Sequence, residues 1–175
     1  MTAHPHKPFP AATVMALSLA ILATDAALAY ERGALKPELR CLALNIYHEA
    51  RSESKRGQIA VAAVTLNRVK SDRFPNSVCA VVHQGGEKLH RCQFSWWCDG
   101  RSDQPKDQKA WRRAIQLARE SLAGLHRDPT RGALYYHTTR VKPAWSKKFR
   151  RSARIGNHVF YRPKPRRSLR LASAR

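Results

Sequence analysis

Glu49 is the residue whose type and position point most directly to chemistry, because it lies on an apolar helical stripe. The other members of the stripe are spaced by four, three and four residues: Leu35, Leu39, Leu42 and Ile46. Glu49 follows three residues later, so all five side chains would share one face of an α-helix. A core-facing carboxylate loses hydration of its ionised form, which raises its pKa and lets it donate a proton near neutral pH. If the helix instead frays before Glu49, the side chain would reach water or pair with Arg51.

The length of the chain suits one compact domain with flanking segments. It has 175 residues, of which 43% are hydrophobic. Residues 1–29 are typical of a cleaved signal peptide, with an apolar run over 11–23 (AATVMALSLAILA) and a small-x-small pattern at 27–29 (ALA). An uncleaved anchor is the minor alternative, because the run is shorter than the roughly 20 residues that span a bilayer. We therefore expect an exported protein, periplasmic or extracellular, with its domain over 30–161.

Four cysteines follow the expected cleavage point: Cys41, Cys79, Cys92 and Cys98. An even count in a small exported domain favours two disulfides. The spacings include no CxxC pattern, so we expect no structural metal site. Sequence leaves three connectivities open, and we prefer Cys41 with Cys79 and Cys92 with Cys98.

The charge of the chain is strongly positive. Lys and Arg number 33 against 12 Asp and Glu, a formal net charge of +21. In a cytosolic protein this would indicate nucleic-acid binding, but export makes nucleic acid an unexpected partner. Wall polymers are the expected polyanions, with at most peripheral contact with anionic lipid headgroups. The basic segment 162–175 is predicted to be disordered, either as a solvated tail or as a binding arm.

Periodicity predicts a mainly helical α+β fold with a short C-terminal hairpin or small sheet. After the helix that carries Glu49, the segment 59–69 is apolar nearly all round, which is typical of a buried central helix. A short helix over 78–83 and a long loop over 84–108 follow. A second amphipathic helix is marked by four residues: Trp111, Ile115, Ala118 and Leu122. The aromatic runs 133–138 (ALYYHT) and 158–161 (HVFY) are predicted to be paired strands.

A series of short motifs extends over most of the expected domain. In chain order they are 45–51 (NIYHEAR), 57–62 (GQIAVA), 66–69 (LNRV), 74–75 (FP), 79–82 (CAVV), 93–96 (QFSW), 155–158 (IGNH) and 160–161 (FY). Together they resemble the catalytic domain of the cell-wall hydrolases typified by the spore cortex-lytic enzyme SleB. The resemblance implies a compact lysozyme-like domain that acts on peptidoglycan, with Glu49 as the catalytic acid. The chain departs from the usual Glu-Ala-Arg-Gly-Glu pattern by having Ser52 in place of glycine.

The available carboxylates bear on the reaction type. Glycosidic cleavage needs a proton for the leaving oxygen, which Glu49 could supply, and a two-carboxylate hydrolase needs a second acid nearby. The candidates are Glu53, Asp72, Glu87, Asp99 and Asp103. Glu53 is a possible secondary carboxylate, although we prefer its interpretation as a solvent-facing partner for Arg51, Lys55 or Arg56. With one convincing acid, the resemblance implies a lytic transglycosylase that leaves 1,6-anhydro ends. Plain hydrolysis and a non-catalytic wall-binding module are the alternatives.

Substrate contacts are expected from polar and aromatic side chains in the later motifs. The candidates are Gln93, Phe94, Ser95, Trp96, Tyr136, Asn157 and His158. The aromatics could stack on sugar rings or anchor the core, and the last two could form a turn. We expect no cofactor and no metal, peptidoglycan as the partner, and a monomer.

Overall fold

The computed structural model describes residues 35–86, 89 and 91–165. The chain divides into residues 1–36 and 37–175, and every helix and strand given below belongs to the second unit. The expected signal peptide at 1–29 lies outside the described residues, as does the basic tail beyond Pro165. In the described ranges, no helix combines the length and the hydropathy needed to cross a membrane.

Four α-helices form most of the fold. They are α1 (Pro37–Ala50), α2 (Lys55–Val69), α3 (Val78–Val82) and α4 (Gln108–Leu122). Side-chain oxygens of Ser54, Ser77 and Asp107 accept hydrogen bonds from the first backbone N–H groups of α2, α3 and α4. Helix α1 begins two residues later than the apolar stripe, so Leu35 lies outside it. The reason is Pro37, which disfavours helical backbone in the residue before it.

Helix α1 is the centre of the core. Its residues 41–47 are all buried, and it packs against α2, α3 and α4. The stripe that ends at Glu49 is thus one part of a helix surrounded on most sides. Helix α2 is also buried nearly all round, as its sequence predicted.

Helix α4 packs against the core through a face that includes Ala118 as expected, with Trp111 and Ile115 partly buried beside it. Its buried residues are Ala114, Leu117, Ala118 and Ser121. Leu122 is 41% exposed, so its expected place on the buried stripe is wrong. The small side chains of this face let α4 approach the central helix closely.

A three-stranded antiparallel sheet follows the helices. Its strands are β1 (Tyr135–Thr138), β2 (Arg150–Ile155) and β3 (His158–Arg162), in the order β1-β3-β2. The pairing of β1 with β3 confirms the two strands expected from their aromatic runs. Strand β2 (RRSARI) was not expected, because its arginines hide any apolar alternation. His158 and Phe160 face the core, whereas Val159 and Tyr161 alternate with them on the outer face.

Two disulfides hold the helical part together. Cys41 pairs with Cys79 and joins α1 to α3, while Cys92 pairs with Cys98 and closes a loop around the 3-10 helix Ser95–Cys98. These are the preferred pairings of the sequence analysis. The first fixes the helix that carries Glu49, and the second fixes the loop that carries Trp96.

Candidate active site

Glu49 lies in the last turn of α1, one residue before the helix ends. Its side chain is partly buried, and its Oε2 accepts a hydrogen bond of 2.9 Å from the hydroxyl of Tyr136 on β1. In the part of the chain that the structure describes, Tyr136 is the one hydrogen-bond partner of this carboxyl. The apolar stripe therefore brings the acid against the sheet rather than into open solvent.

The pKa of the Glu49 carboxyl is raised above its ordinary value of 4.5, mainly by burial. The Tyr136 hydrogen bond and the positive charge of Arg68 both act to lower this pKa, and burial prevails. Burial and the nearby Glu49 charge hold the pKa of Tyr136 well above 10.0, so its hydroxyl stays a neutral donor. A carboxyl with a raised pKa, such as that of Glu49, keeps its proton to higher pH than an exposed carboxyl does and can release it to a bound substrate.

Arg68 is the residue of this site that sequence reasoning missed. It is 2% exposed, and its Nε donates a hydrogen bond of 2.8 Å to the backbone oxygen of Leu134. Its guanidinium lies over the rings of Phe74 and Phe94, with its central carbon 5.1 Å and 5.4 Å from their centroids. Helical spacing could have predicted the burial of Arg68, because it lies seven residues after the fully buried Val61 on one face of α2.

Arg68 and Tyr136 are placed to stabilise the Glu49 carboxylate after Glu49 has donated its proton. Both stabilise the ionised form of Glu49, one by its charge and the other by its hydrogen bond. Burial favours the acid before the transfer, and these two groups favour the carboxylate after it. The same side chain can thus act first as an acid and then as a base.

Phe94 does not fit its expected role in substrate binding. It is 3% exposed and packs against Arg68, so it presents no ring face to a ligand. This corrects the sequence-based expectation in favour of its alternative as a core residue. The physical reason is that the Phe94 ring packs on the buried guanidinium of Arg68.

Trp96 lies on the loop closed by the second disulfide and packs against the helix that carries Glu49. Its ring stacks on His48 with centroids 4.5 Å apart, and its Nε1 donates to Asn45 Oδ1 at 3.4 Å. Asn45 is buried one turn before Glu49 and donates to Thr65 of α2. Trp96 is 8% exposed, so its position is fixed and a small part of its ring is accessible.

A cavity of about 490 Å³ borders Trp96 and the end of α1. Charged residues of both signs line it, among them Arg51, Asp99, Arg101 and Asp103, while Glu49 is not one of its lining residues. Burial raises the pKa of Asp103, against the opposing charge of His48. Asp99 and Asp103, both named from the sequence, therefore lie on the His48 side of the helix.

Glu53 is not solvent-facing, which corrects the interpretation preferred from the sequence. Its side chain is 7% exposed, and the backbone N–H of Asn157 lies 3.3 Å and 3.4 Å from its two carboxylate oxygens. Gly57 and Gly156 pack directly against it, and a Cβ at Gly57 would come within 2.8 Å of the Glu53 Cβ. Glu53 therefore joins the start of α2 to the turn between β2 and β3.

His158 is likewise a packed residue rather than an accessible one. It is 4% exposed, its Nδ1 lies 3.8 Å from Glu53 Oε1, and burial lowers its pKa. The expectation that it binds substrate is corrected for that reason. Gln93, Ser95 and Asn157 are exposed and stay candidates for binding. Among the described residues, no cluster of His, Cys, Asp and Glu has the arrangement to hold a metal ion.

A family model that matches most of the folded domain identifies the family of this chain. The family model described as Cell Wall Hydrolase matches residues 52–161. The chain belongs to the cell wall hydrolase family. The matched span includes Glu53, Arg68 and Tyr136, and Glu49 lies three residues before it.

Curated relatives of this chain include spore cortex-lytic enzymes. The enzyme of Bacillus subtilis is 36% identical over 128 residues, which are 70% of this chain and 37% of the relative. That of Halalkalibacterium halodurans is 35% identical over 126 residues, covering 70% of this chain and 34% of the relative. The chain thus spans little more than a third of the length of these relatives.

Solved structures resemble this chain over most of its folded part. The catalytic domain of the germination-specific lytic transglycosylase SleB from Bacillus anthracis is 31% identical, with a TM-score of 0.57 over 74% of this chain and 98% of that one. The catalytic domain of the Bacillus cereus SleB protein is 29% identical, with a TM-score of 0.53 over 74% and 94%. The mainly helical, lysozyme-like α+β domain expected from the sequence is confirmed.

Two of the sequence motifs surround Glu53 rather than Glu49. The segment 57–62 supplies Gly57, and 155–158 supplies the turn that binds the Glu53 carboxylate. These two motifs of the resemblance therefore have a structural role around Glu53. They fix the sheet against α2, and the sheet presents Tyr136 to Glu49.

Proposed function

We propose that this chain is an exported peptidoglycan glycosidase that cleaves the strand of N-acetylmuramic acid and N-acetylglucosamine with Glu49 as its general acid. The observation that carries the proposal is the partly buried Glu49 carboxyl, whose pKa burial raises and whose Oε2 is held by Tyr136. Membership of the cell wall hydrolase family supports the substrate class. A module that merely bound the wall would have no need of such an acid.

The proposed reaction uses one carboxyl group twice. Glu49 gives its proton to the leaving glycosidic oxygen as the bond from that oxygen to C1 of the muramic acid breaks. The resulting carboxylate, stabilised by Tyr136 and Arg68, then takes the proton from the C6 hydroxyl of the same sugar. The C6 oxygen bonds to C1 and gives a 1,6-anhydro end. Glu49 is protonated again and no water is consumed.

The other carboxylates support a single-acid mechanism. Glu53 is engaged by the Asn157 N–H, and Glu38 accepts from the first N–H groups of α3 at 2.6 Å and 3.4 Å. Asp128 is held by Thr130, Gly132 and Asn67. These groups stabilise backbone turns and helix ends.

Hydrolysis is the second candidate, and one observation favours it. Asp103 lines the cavity next to Trp96, and burial raises its pKa. A carboxylate in that cavity could activate a water molecule, which would give a reducing end on muramic acid or glucosamine. Asp103→Asn separates the two routes, because it removes this base and leaves Glu49 unchanged.

Export and wall association rest on the signal-like segment 1–29, the two disulfides and the basic charge. Two disulfides are typical of domains that fold in an oxidising compartment. The formal charge of +21 would attract the protein to acidic wall polymers. We propose a periplasmic or extracellular, wall-associated monomer.

The test is turnover of purified peptidoglycan by single variants. Glu49→Gln should keep its fold and lose about 100-fold to 10,000-fold in activity, the usual contribution of a general acid. Asp103→Asn should lose less than about tenfold in a transglycosylase. A loss below about tenfold in Glu49→Gln would remove Glu49 from the mechanism, and a large loss in Asp103→Asn would favour hydrolysis.

A further inference from the structure

A second cavity, of about 390 Å³, lies on the outer face of the sheet, opposite the face that presents Tyr136. Its floor includes His137 and Tyr161, whose Nε2 and hydroxyl lie 3.0 Å apart across β1 and β3. The segment between β1 and β2 covers one side and contributes Lys142 and Lys147. The cavity is therefore built from side chains of all three strands and from an overlying loop.

A bulge in β2 aims two arginines into this cavity. Arg151 pairs with Tyr161 and Arg154 pairs with Val159, and the register shifts between Arg151 and Ala153. In a regular strand, residues three apart point to opposite faces of the sheet. The extra residue at the bulge places Arg151 and Arg154 on the same outer face, and both line the cavity.

Among the residues that the structure describes, the cations of this cavity have no acidic partner. Asp128 is the last acidic residue of the whole chain. The ion pairs among the described residues involve Glu53 and Glu120, and none includes a cation of the cavity. Lys164 adds a further positive charge at the rim, where its Nζ donates to the backbone oxygen of Lys147 at 3.3 Å. Four positive side chains therefore line one recess: Lys142, Lys147, Arg151 and Arg154.

The remaining lining indicates which anion fits. Val141, Pro143 and Val159 contribute apolar surface beside the hydroxyls of Thr139 and Ser146. A phosphate polymer would leave the apolar part unused, and a lipid bilayer is too flat to enter a recess. A short peptide with several carboxylates and small alkyl side chains would use both parts.

We propose that this cavity binds the acidic peptide stems of peptidoglycan, with Arg151 and Arg154 contacting carboxylates. The inference rests on the proposed function, because the substrate of such an enzyme carries these stems beside the scissile strand. The site would hold the wall on the sheet face opposite Tyr136 while the glycan lies at Glu49. It gives the basic charge of the domain a defined location.

The test is calorimetric titration of the full chain with the free stem tetrapeptide of alanine, γ-linked glutamate, diaminopimelate and alanine, at about 0.15 M salt. Arg151→Gln with Arg154→Gln should weaken binding by about tenfold per arginine, since a hydrogen bond to a charged group has about that effect. The control is Arg112→Gln with Arg113→Gln, which removes the same charge from the exposed side of α4 and should bind as the unmodified protein does. The peptide with amidated carboxylates should not bind.

Equal losses in the two double variants would overturn the site and indicate diffuse attraction. Binding of polyglycerol phosphate or of anionic lipid vesicles through the same arginines, without binding of the tetrapeptide, would also overturn it. If the arginine variant does not fold, Lys142→Gln with Lys147→Gln provides the second test. Glu49→Gln should bind the peptide unchanged, so failure of catalysis and failure of this site give different results.

Discussion

The two disulfides should contribute unequally to the free energy of unfolding, because they close loops of very different length. Cys41 and Cys79 are 38 residues apart, whereas Cys92 and Cys98 are 6 apart. The chain-entropy relation, −2.1 − 1.5R ln n in cal/mol/K, gives about 3.9 kcal/mol for the longer loop and about 2.2 kcal/mol for the shorter one at 25 °C. The difference between them should be about 1.7 kcal/mol.

The assay is denaturant unfolding of two double variants, Cys41→Ala with Cys79→Ala and Cys92→Ala with Cys98→Ala. Each pair removes one buried and one partly exposed sulfur, so losses of packing are similar and loop length should decide the order. The first variant should be the less stable, with comparable denaturant slopes. Equal stabilities, or the reverse order, would refute the loop-length reasoning. Protein from an oxidising compartment should show no free thiol, and four free thiols would reject both disulfides.

Three further predictions concern the acid and its surroundings. Tyr136→Phe removes a hydrogen bond that lowers the pKa of Glu49, so the high-pH limb of the pH–activity profile should move to higher pH. If that limb keeps its position, Tyr136 does not lower the pKa of Glu49. Glu53→Gln should reduce the free energy of unfolding by about 1–3 kcal/mol, because it weakens the hydrogen bond that Glu53 accepts from the Asn157 N–H. A denaturant midpoint equal to that of the unmodified protein would contradict this. Because the pKa of Glu49 is raised in the folded state, its protonation stabilises the fold below about pH 4.5, and this effect is lost as pH rises through the folded-state pKa. The free energy of unfolding, measured relative to that of Glu49→Gln, should therefore fall with increasing pH. A difference that stays constant with pH would disprove the linkage.

The position of Glu49 could be predicted because it depends on local periodicity. A helix places every third or fourth residue on one face, and four aliphatic residues before Glu49 revealed that face. Its partners could not be found in the same way. Tyr136 lies 87 residues away and reaches Glu49 because β1 pairs with β3 in the sheet. Contacts between distant segments leave no periodic signal.

Buried polar residues account for most of the differences from expectation. Arg68 and Glu53 are charged, and composition alone favours solvent exposure for both. Arg68 is buried because two aromatic rings and a backbone oxygen accommodate its guanidinium. Glu53 is buried because a glycine turn supplies an N–H to its carboxylate. Strand β2 was missed for a related reason, since its arginines follow a bulge rather than regular alternation.

The most direct test of the central claim is mass spectrometry of the sugar ends released from purified peptidoglycan in ¹⁸O-labelled water. A single-acid lytic transglycosylase predicts 1,6-anhydro-muramic ends that contain no ¹⁸O, and no such ends with Glu49→Gln. Reducing ends that carry ¹⁸O would contradict the transglycosylase route and identify a hydrolase. Release of no new ends by the folded, disulfide-bonded protein would contradict catalysis altogether and leave a wall-binding module.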